Sequence, residues 1–408
     1  MGSRLLSRAM ILWKVLEDKF SRLANSSYRL LIPFLIVFSA KLVSGLFIYK
    51  FLNMGSSNTY WMTVGWDTEG QNEILKSVAQ NAGTWPYLFL GWDSAWYLSI
   101  MMKGYAFSSK SFAFFPGFPF FSWMINQILL NPAYSLVVFA FVLGILWVPL
   151  CQLVAEYYFA RRNALQSTLL YALFPYVFLF TTVAYAEGLF LFCTLGAWYF
   201  FKKMKISLAV LFAAIATISR PPGIVIILPM AFETIRMHRH HDSSPSYWKI
   251  LSLSIPFFCF LSWFLYCRAT FNSWVPTGWS GMYSFRLLVF DILPQKGLQP
   301  LLEYFQIWPL SPAFMIFLLV APLLILALVR IDKALALYSA AYFLGVLAGG
   351  GLASIPRFIS FIFPLWLPLA GKLSRVKRSN LLTLMICAAF LLVGLLFWLA
   401  FLNGEFVA

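Results

Sequence analysis

Long apolar runs decide what this chain can fold into. The clearest are Leu30–Tyr49, Ser135–Tyr158, Ile250–Tyr266, Phe314–Leu328, Ala334–Ala348 and Leu381–Phe401. A helix needs about 20 predominantly apolar residues to cross a bilayer. Inside lipid every backbone N–H and C=O must be satisfied by the chain itself, which leaves helices or closed barrels. The composition agrees: 61% of the 408 residues are hydrophobic and 11% are charged, where a soluble domain carries about 25% charged residues. The expected fold is an all-α integral membrane protein, a polytopic helical bundle of about 10 to 12 embedded segments, several of them short or broken.

The net charge of +16 invites a nucleic-acid reading, but the cations are placed otherwise. Twenty of the 30 Lys and Arg fall in six short clusters between apolar runs: Arg4 to Arg29, Arg161-Arg162, Lys202 to Lys205, Arg236 to Lys249, Arg330-Lys333 and Lys372 to Arg378. One orientation puts all six on the cytoplasmic side, as the positive-inside rule requires. The lipid bilayer is then the partner, and nucleic acid is not.

That orientation organises the chain. Residues 1–29 form a cytoplasmic, partly amphipathic segment, basic and too polar for the apolar core of a cleavable leader. Residues 30–402 form a single transmembrane domain with a long first outer loop at 53–111 and a second at 270–310; residues 403–408 are a tail. Residues 112–160 allow one net crossing, so the Pro- and Phe-rich first run is expected to be interfacial or re-entrant. Residues 163–201 fit a hairpin whose tip is Tyr185-Ala186-Glu187-Gly188. Residues 206–235 are broken at Arg220-Pro221-Pro222-Gly223, because proline removes a helix donor and disfavours helix before it. The loop 233–248 is expected inside, and Ser354-Ile355-Pro356-Arg357-Phe358 reads as an outer turn.

Few residue types are left for chemistry. His238, His240 and His241 all fall in the inner loop. Cys151, Cys193, Cys259, Cys267 and Cys387 lie in apolar runs without CxxC spacing and read as small buried hydrophobes. Acid–base work on the outer side therefore falls to a carboxylate. Of 14 carboxylates, seven remain outside: Asp67, Glu69, Glu73, Asp93, Glu187, Asp291 and Glu303. Asp93 and Glu187 are set in apolar sequence, where a charge is costly and marks function or a fixed ion pair. Asp93, in Gly91-Trp92-Asp93-Ser94-Ala95-Trp96-Tyr97, is read as a base; Glu187 as a substrate-binding or cavity-organising group, or the partner of Arg220.

Ten cations lie outside the basic clusters: Lys41, Lys50, Lys76, Lys103, Lys110, Arg220, Arg268, Arg286, Lys296 and Arg357. Arg offers a bidentate fork to phosphate and Lys a point charge. Arg357 is the first choice for a lipid phosphate, followed by Arg220 and Lys103. Trp92, Trp96, Tyr97 and Tyr105 suit stacking on a sugar, and equally an interfacial aromatic belt. Ser94 and Tyr185 stand beside the two carboxylates.

At these residues the chain resembles a known family. Trp92-Asp93-Ser94, Trp96-Tyr97, Gly104-Tyr105 and Ala113-Phe114-Phe115-Pro116 with Pro119 resemble the signature of the GPI mannosyltransferase II family, of the GT-C glycosyltransferase superfamily. Tyr185-Ala186-Glu187-Gly188 resembles its Tyr-Ser-Glu-Ser element, and Ala216-Thr217-Ile218-Ser219-Arg220 with Gly223 its Ala-Thr-x-x-Arg-x-x-Gly element. Pro356-Arg357-Phe358 is similar to a late outer-loop motif. Ala186 and Gly188 depart from the pattern, standing where serines are usual.

The resemblance implies a GT-C-type bundle that transfers mannose, with inversion, from a polyprenyl-phosphate donor to a glycolipid or glycan acceptor. It makes Asp93 the outer-loop base. It requires no cofactor, and it leaves room for a divalent metal without indicating one. It implies an active site on the outer or lumenal side of a multi-pass protein, in the cell membrane of a prokaryote or the endoplasmic reticulum of a eukaryote. The residues leave two other readings open: a lipid flippase or transporter, for which broken helices and intramembrane charges are suited, and a non-catalytic subunit of a glycosylation complex. Neither names a protein partner.

Overall fold

The computed structural model describes residues 15, 18–51, 85–240, 251–272, 311–349, 354–373, 375–376, 379–404 and 407, and all regular structure among them is helical. Helix α1 runs Leu31–Phe51. A 3-10 turn at Trp85–Phe89 leads into α2, Asp93–Lys103. A second, Ser109–Ala113, precedes α3 (Gly117–Leu129) and α4 (Pro132–Ala155). Next come α5 (Arg161–Leu173), α6 (Pro175–Phe180), α7 (Glu187–Lys202) and α8 (Ile206–Ser219). A 3-10 turn, Pro221–Ile226, joins α8 to α9, Ile227–His240. The rest are α10 (Ser254–Phe271), α11 (Ser311–Leu328), α12 (Lys333–Gly349), α13 (Ile355–Ser360), α14 (Trp366–Leu373) and α15 (Ser379–Leu402). Among the described residues α1, α4, α10 and α15 are long and apolar enough to cross a membrane unaided.

The shorter helices are cut where the sequence forbids continuation. Phe174, before Pro175, leaves the helical region (φ −59°, ψ 131°), which separates α5 from α6. Arg220, before Pro221, is extended (φ −155°, ψ 148°) and ends α8. Gly223 lets the chain fold back there, since a Cβ on it would lie 2.1 Å from the Ala216 carbonyl oxygen. Residues 112–160 resolve into a helical hairpin. Leu130 turns in the left-handed region (φ 52°), and Asn131 caps α4 by accepting from the Tyr134 N–H at 3.1 Å. The 13 residues of α3 reach about 20 Å, short of a roughly 30 Å hydrocarbon core, so of the two helices α4 alone is long and apolar enough to cross.

Helix α7 packs between α4 and α8. The approach to α4 is close because glycine meets glycine: a Cβ on Gly188 would sit 2.9 Å from the Gly144 nitrogen. This gives a steric reason for glycine where the resembled family carries serine. Around this centre α1 lies on α4, and α15 lies on α5 and α6. Apolar side chains such as Val43, Leu46, Phe258 and Leu392 face outward, as lipid contact requires.

Two groups of ion pairs lie at the two ends of α7. At its C-terminal end Lys202 pairs with Glu233 (3.6 Å) and Asp332 (3.5 Å), and Arg236 with Glu233 (2.7 Å). Arg29 pairs with Glu156 at 3.1 Å, at the close of α4. These are the carboxylates and cations that the charge pattern puts on the inner side. At the N-terminal end of α7, about 22 Å away along the axis, lies Glu187.

Three local expectations need adjustment. His238 and His240 belong to α9 rather than to a loop. Residues 355–360 are a helix rather than a turn, because Pro356 sits in its first turn, where its missing N–H is not needed. The described part of 53–111 carries a helix, Asp93–Lys103, and two 3-10 turns joined by short irregular segments. His241, all of 53–84 with Asp67, Glu69 and Glu73, and 273–310 with Asp291 and Glu303 lie outside the described residues.

Candidate active site

Asp93 opens α2 and is held from both sides. Its N–H donates to Tyr185 Oη at 3.1 Å, and Ser94 Oγ donates to the Ala184 carbonyl at 3.1 Å. The Ala184 N–H in turn donates to the Phe89 carbonyl at 2.8 Å. Trp92, immediately before, has φ 47° and ψ −112°, a region that side chains other than glycine rarely enter and that persists only under strong local constraint. Gly91 supplies part of that constraint, since a Cβ there would meet the Phe401 ring at 2.8 Å.

Glu187 opens α7, Arg220 sits at the α8 break and Arg357 lies in α13. All three converge on Asp93. Arg357 donates from Nη1 and Nη2 to Asp93 Oδ2, each at 3.0 Å, and from Nε to Glu187 Oε1 at 2.6 Å. Arg220 Nη1 makes an ion pair with the same Glu187 oxygen rather than an aligned hydrogen bond. The Arg357 guanidinium lies over the rings of Phe180 (4.4 Å), Tyr185 (4.6 Å) and Phe358 (5.6 Å), and Arg220 lies over Phe358 (5.1 Å).

The exposures differ in a useful way. The Glu187 side chain is fully buried and that of Arg357 is 6% exposed, while that of Asp93 is 25% exposed. Two guanidiniums and two carboxylates cancel in charge, which makes their burial tolerable. Removing one member of such a buried pair costs about 3–5 kcal/mol. Both Arg357 bonds to Asp93 fall on Oδ2, and Glu187 Oε2 is buried without a hydrogen-bond partner. The cluster therefore offers one accessible carboxylate, a cationic fork beside it, and a buried acceptor able to take a hydroxyl.

The remaining sequence candidates divide. Tyr97, buried one turn along α2, lies within the electrostatic reach of Asp93, Glu187, Arg220 and Arg357. Tyr185 bonds the Asp93 backbone, Ser94 holds the adjoining strand of chain, and Trp92 packs against the main core. Tyr105 lies elsewhere: its hydroxyl donates to the Phe114 carbonyl at 2.8 Å and its ring meets Trp263 at 4.6 Å. Lys103 is exposed at the far end of α2, about 15 Å from Asp93 along the axis.

Sequence reasoning missed three residues. Phe180 and Phe358 flank the arginines, and Tyr342 of α12 is within electrostatic reach of Arg220, Glu187 and Arg357. Only Phe358 had a signal, as the neighbour of Arg357. Among the described residues no group of three His, Cys, Asp or Glu gathers as metal ligands do. The five cysteines are free, and four of them are buried.

A protein-family model described as Mannosyltransferase (PIG-V) matches residues 74–273. That span holds Asp93, Glu187 and Arg220, and Arg357 joins them from beyond it. No curated protein matches the chain.

Proposed function

We propose, for a chain that belongs to the mannosyltransferase (PIG-V) family and is thus a membrane glycosyltransferase, a direct displacement on a polyprenyl-phosphate mannose donor with Asp93 as the base. The acceptor is a hydroxyl of a glycolipid or glycan, reached on the outer or lumenal side. The acceptor oxygen bonds to the anomeric carbon as the bond from that carbon to the phosphate oxygen breaks. Asp93 takes the hydroxyl proton, and the polyprenyl phosphate leaves with the electron pair. The leaving phosphate gains a negative charge, and Arg357 with Arg220 is placed to stabilise it.

The observation that carries this reading is the sharing of one guanidinium, Arg357, between Asp93 and Glu187. A donor phosphate competes for that guanidinium, and Asp93 is the more exposed of its two partners. Phosphate arrival thus frees Asp93 Oδ2 of both its bonds to Arg357 and leaves the whole carboxylate to the acceptor hydroxyl. Inversion is supported by the second carboxylate of the cluster: Glu187 is fully buried under both arginines, which suits charge balance rather than attack on a sugar. A metal has no step in this scheme, and Lys103, distant from the cluster, has none either.

The test is transfer by the purified protein from polyprenyl-phosphate mannose, with the anomeric configuration of the product read by NMR. The reading expects transfer with the configuration opposite to that of the donor. Transfer with retention, or transfer from a nucleotide sugar alone, would contradict it.

A further inference from the structure

We propose that Lys41 is a positioning residue for the Asp93–Arg357–Glu187 cluster, acting through the turn that joins α6 to α7; this rests on the proposed role of Asp93. Lys41 is the middle residue of α1 and is completely buried. A lysine near a helix end reaches the interface with its flexible stem, but this one turns inward. Its Nζ donates to the Gly144 carbonyl (2.7 Å), the Thr181 carbonyl (2.7 Å) and Thr181 Oγ1 (2.8 Å). Thr181 Oγ1 sends its own proton to the Val177 carbonyl at 2.6 Å, so it receives from Lys41 as an acceptor. Three acceptors meet the three protons of an ammonium group.

A charge at that depth is expensive, and the packing shows what it does there. Thr181 presses onto α4 where only glycine fits: a Cβ on Gly144 would lie 1.8 Å from the Thr181 carbonyl oxygen. Two carbonyl oxygens thus point into one small space, and their dipoles repel without a cation between them. The Thr181 carbonyl also follows the last residue of α6, where carbonyls lack helical donors. Lys41 therefore ties three elements, α1, α4 and the end of α6, at one point.

From that point the chain goes directly to the site. Three residues on, Ala184 is bonded by Phe89 and Ser94; four on, Tyr185 receives the Asp93 N–H and underlies Arg357; six on stands Glu187. A displacement of Thr181 has no slack in which to dissipate before it reaches Asp93 and Glu187. Misplacing reacting groups by about 1 Å costs on the order of 100-fold in rate.

The experiment compares Lys41→Met, Gly144→Ala and the isosteric Thr181→Val with the wild type and with Asp93→Asn. All are purified in detergent, and rates are expressed per folded molecule. We expect the first two to lose kcat about 100-fold and Thr181→Val about 10-fold, with donor KM changed less than about threefold. Lys41→Met combined with Thr181→Val should be no slower than Lys41→Met alone, because both act through one contact. Wild-type kcat in the folded variants, with only yield or melting temperature reduced, overturns the inference, and Thr181→Val decides if the other two do not fold. Full activity in Asp93→Asn defeats the base assignment instead, whatever the Lys41 variants do.

Discussion

Arg357 donates to a single oxygen of Asp93 through both of its terminal nitrogens, Nη1 and Nη2, each at 3.0 Å. The contact holds together α13 and α2, which are 264 residues apart in sequence at these positions. It also means that Asp93 Oδ2 cannot serve Arg357 and an incoming hydroxyl equally well. The same guanidinium keeps its Nε bond to Glu187, so it need not leave the cluster to release Asp93.

An ordered reaction is the first consequence. If donor phosphate draws Arg357 from Asp93, the donor must bind before the acceptor can react. Polyprenyl phosphate should then inhibit competitively against donor and non-competitively against acceptor. Random-order kinetics with equivalent inhibition patterns would count against the exchange.

Arg357→Lys tests the fork itself. Charge is kept, so the buried carboxylates keep a cation, but the bidentate geometry is lost. The expected loss in kcat/KM is about 100-fold, in line with removal of one preorganised donor to developing charge. Lys103→Ala, far from the cluster, should stay within about twofold, as exposed substitutions do. Equal losses in the two variants would show that Arg357 is no more than one more interfacial cation.

Glu187→Gln removes one of two negative charges that two buried arginines share. Breaking such a set should cost about 3–5 kcal/mol of stability, read as a lower melting temperature in detergent. Arg220→Met added to Glu187→Gln should recover part of that loss by removing the cation left over. Additive destabilisation in the double variant would mean that the pair does not act as a unit.

Much of this site was legible in the chain because charge in apolar sequence is too costly to be idle. That rule singled out Asp93 and Glu187, the bidentate fit of arginine to phosphate added Arg357 and Arg220, and all four meet. Proline placed the break at Arg220 equally well, whereas the one at Phe174, inside a stretch read as a plain hairpin, came only with the structure. The aromatic walls were not legible, because with 43 phenylalanines in the chain Phe180 carries no signal of its own. Lys103 was misleading, since sequence nearness to Asp93 became helix length. Lys41 read as one cation among ten; its role depends on Gly144 and Thr181, which lie 103 and 140 residues away.

Asp93 as the group that receives the acceptor proton is tested most directly by single-turnover mannosyl transfer in Asp93→Asn. The substitution keeps size and leaves Glu187 to hold Arg357, so donor binding should persist. A base of this kind contributes about 10²–10⁴-fold; transfer should therefore fall by about 1,000-fold while donor affinity changes little. Transfer at the wild-type rate by folded, donor-bound Asp93→Asn would contradict the account.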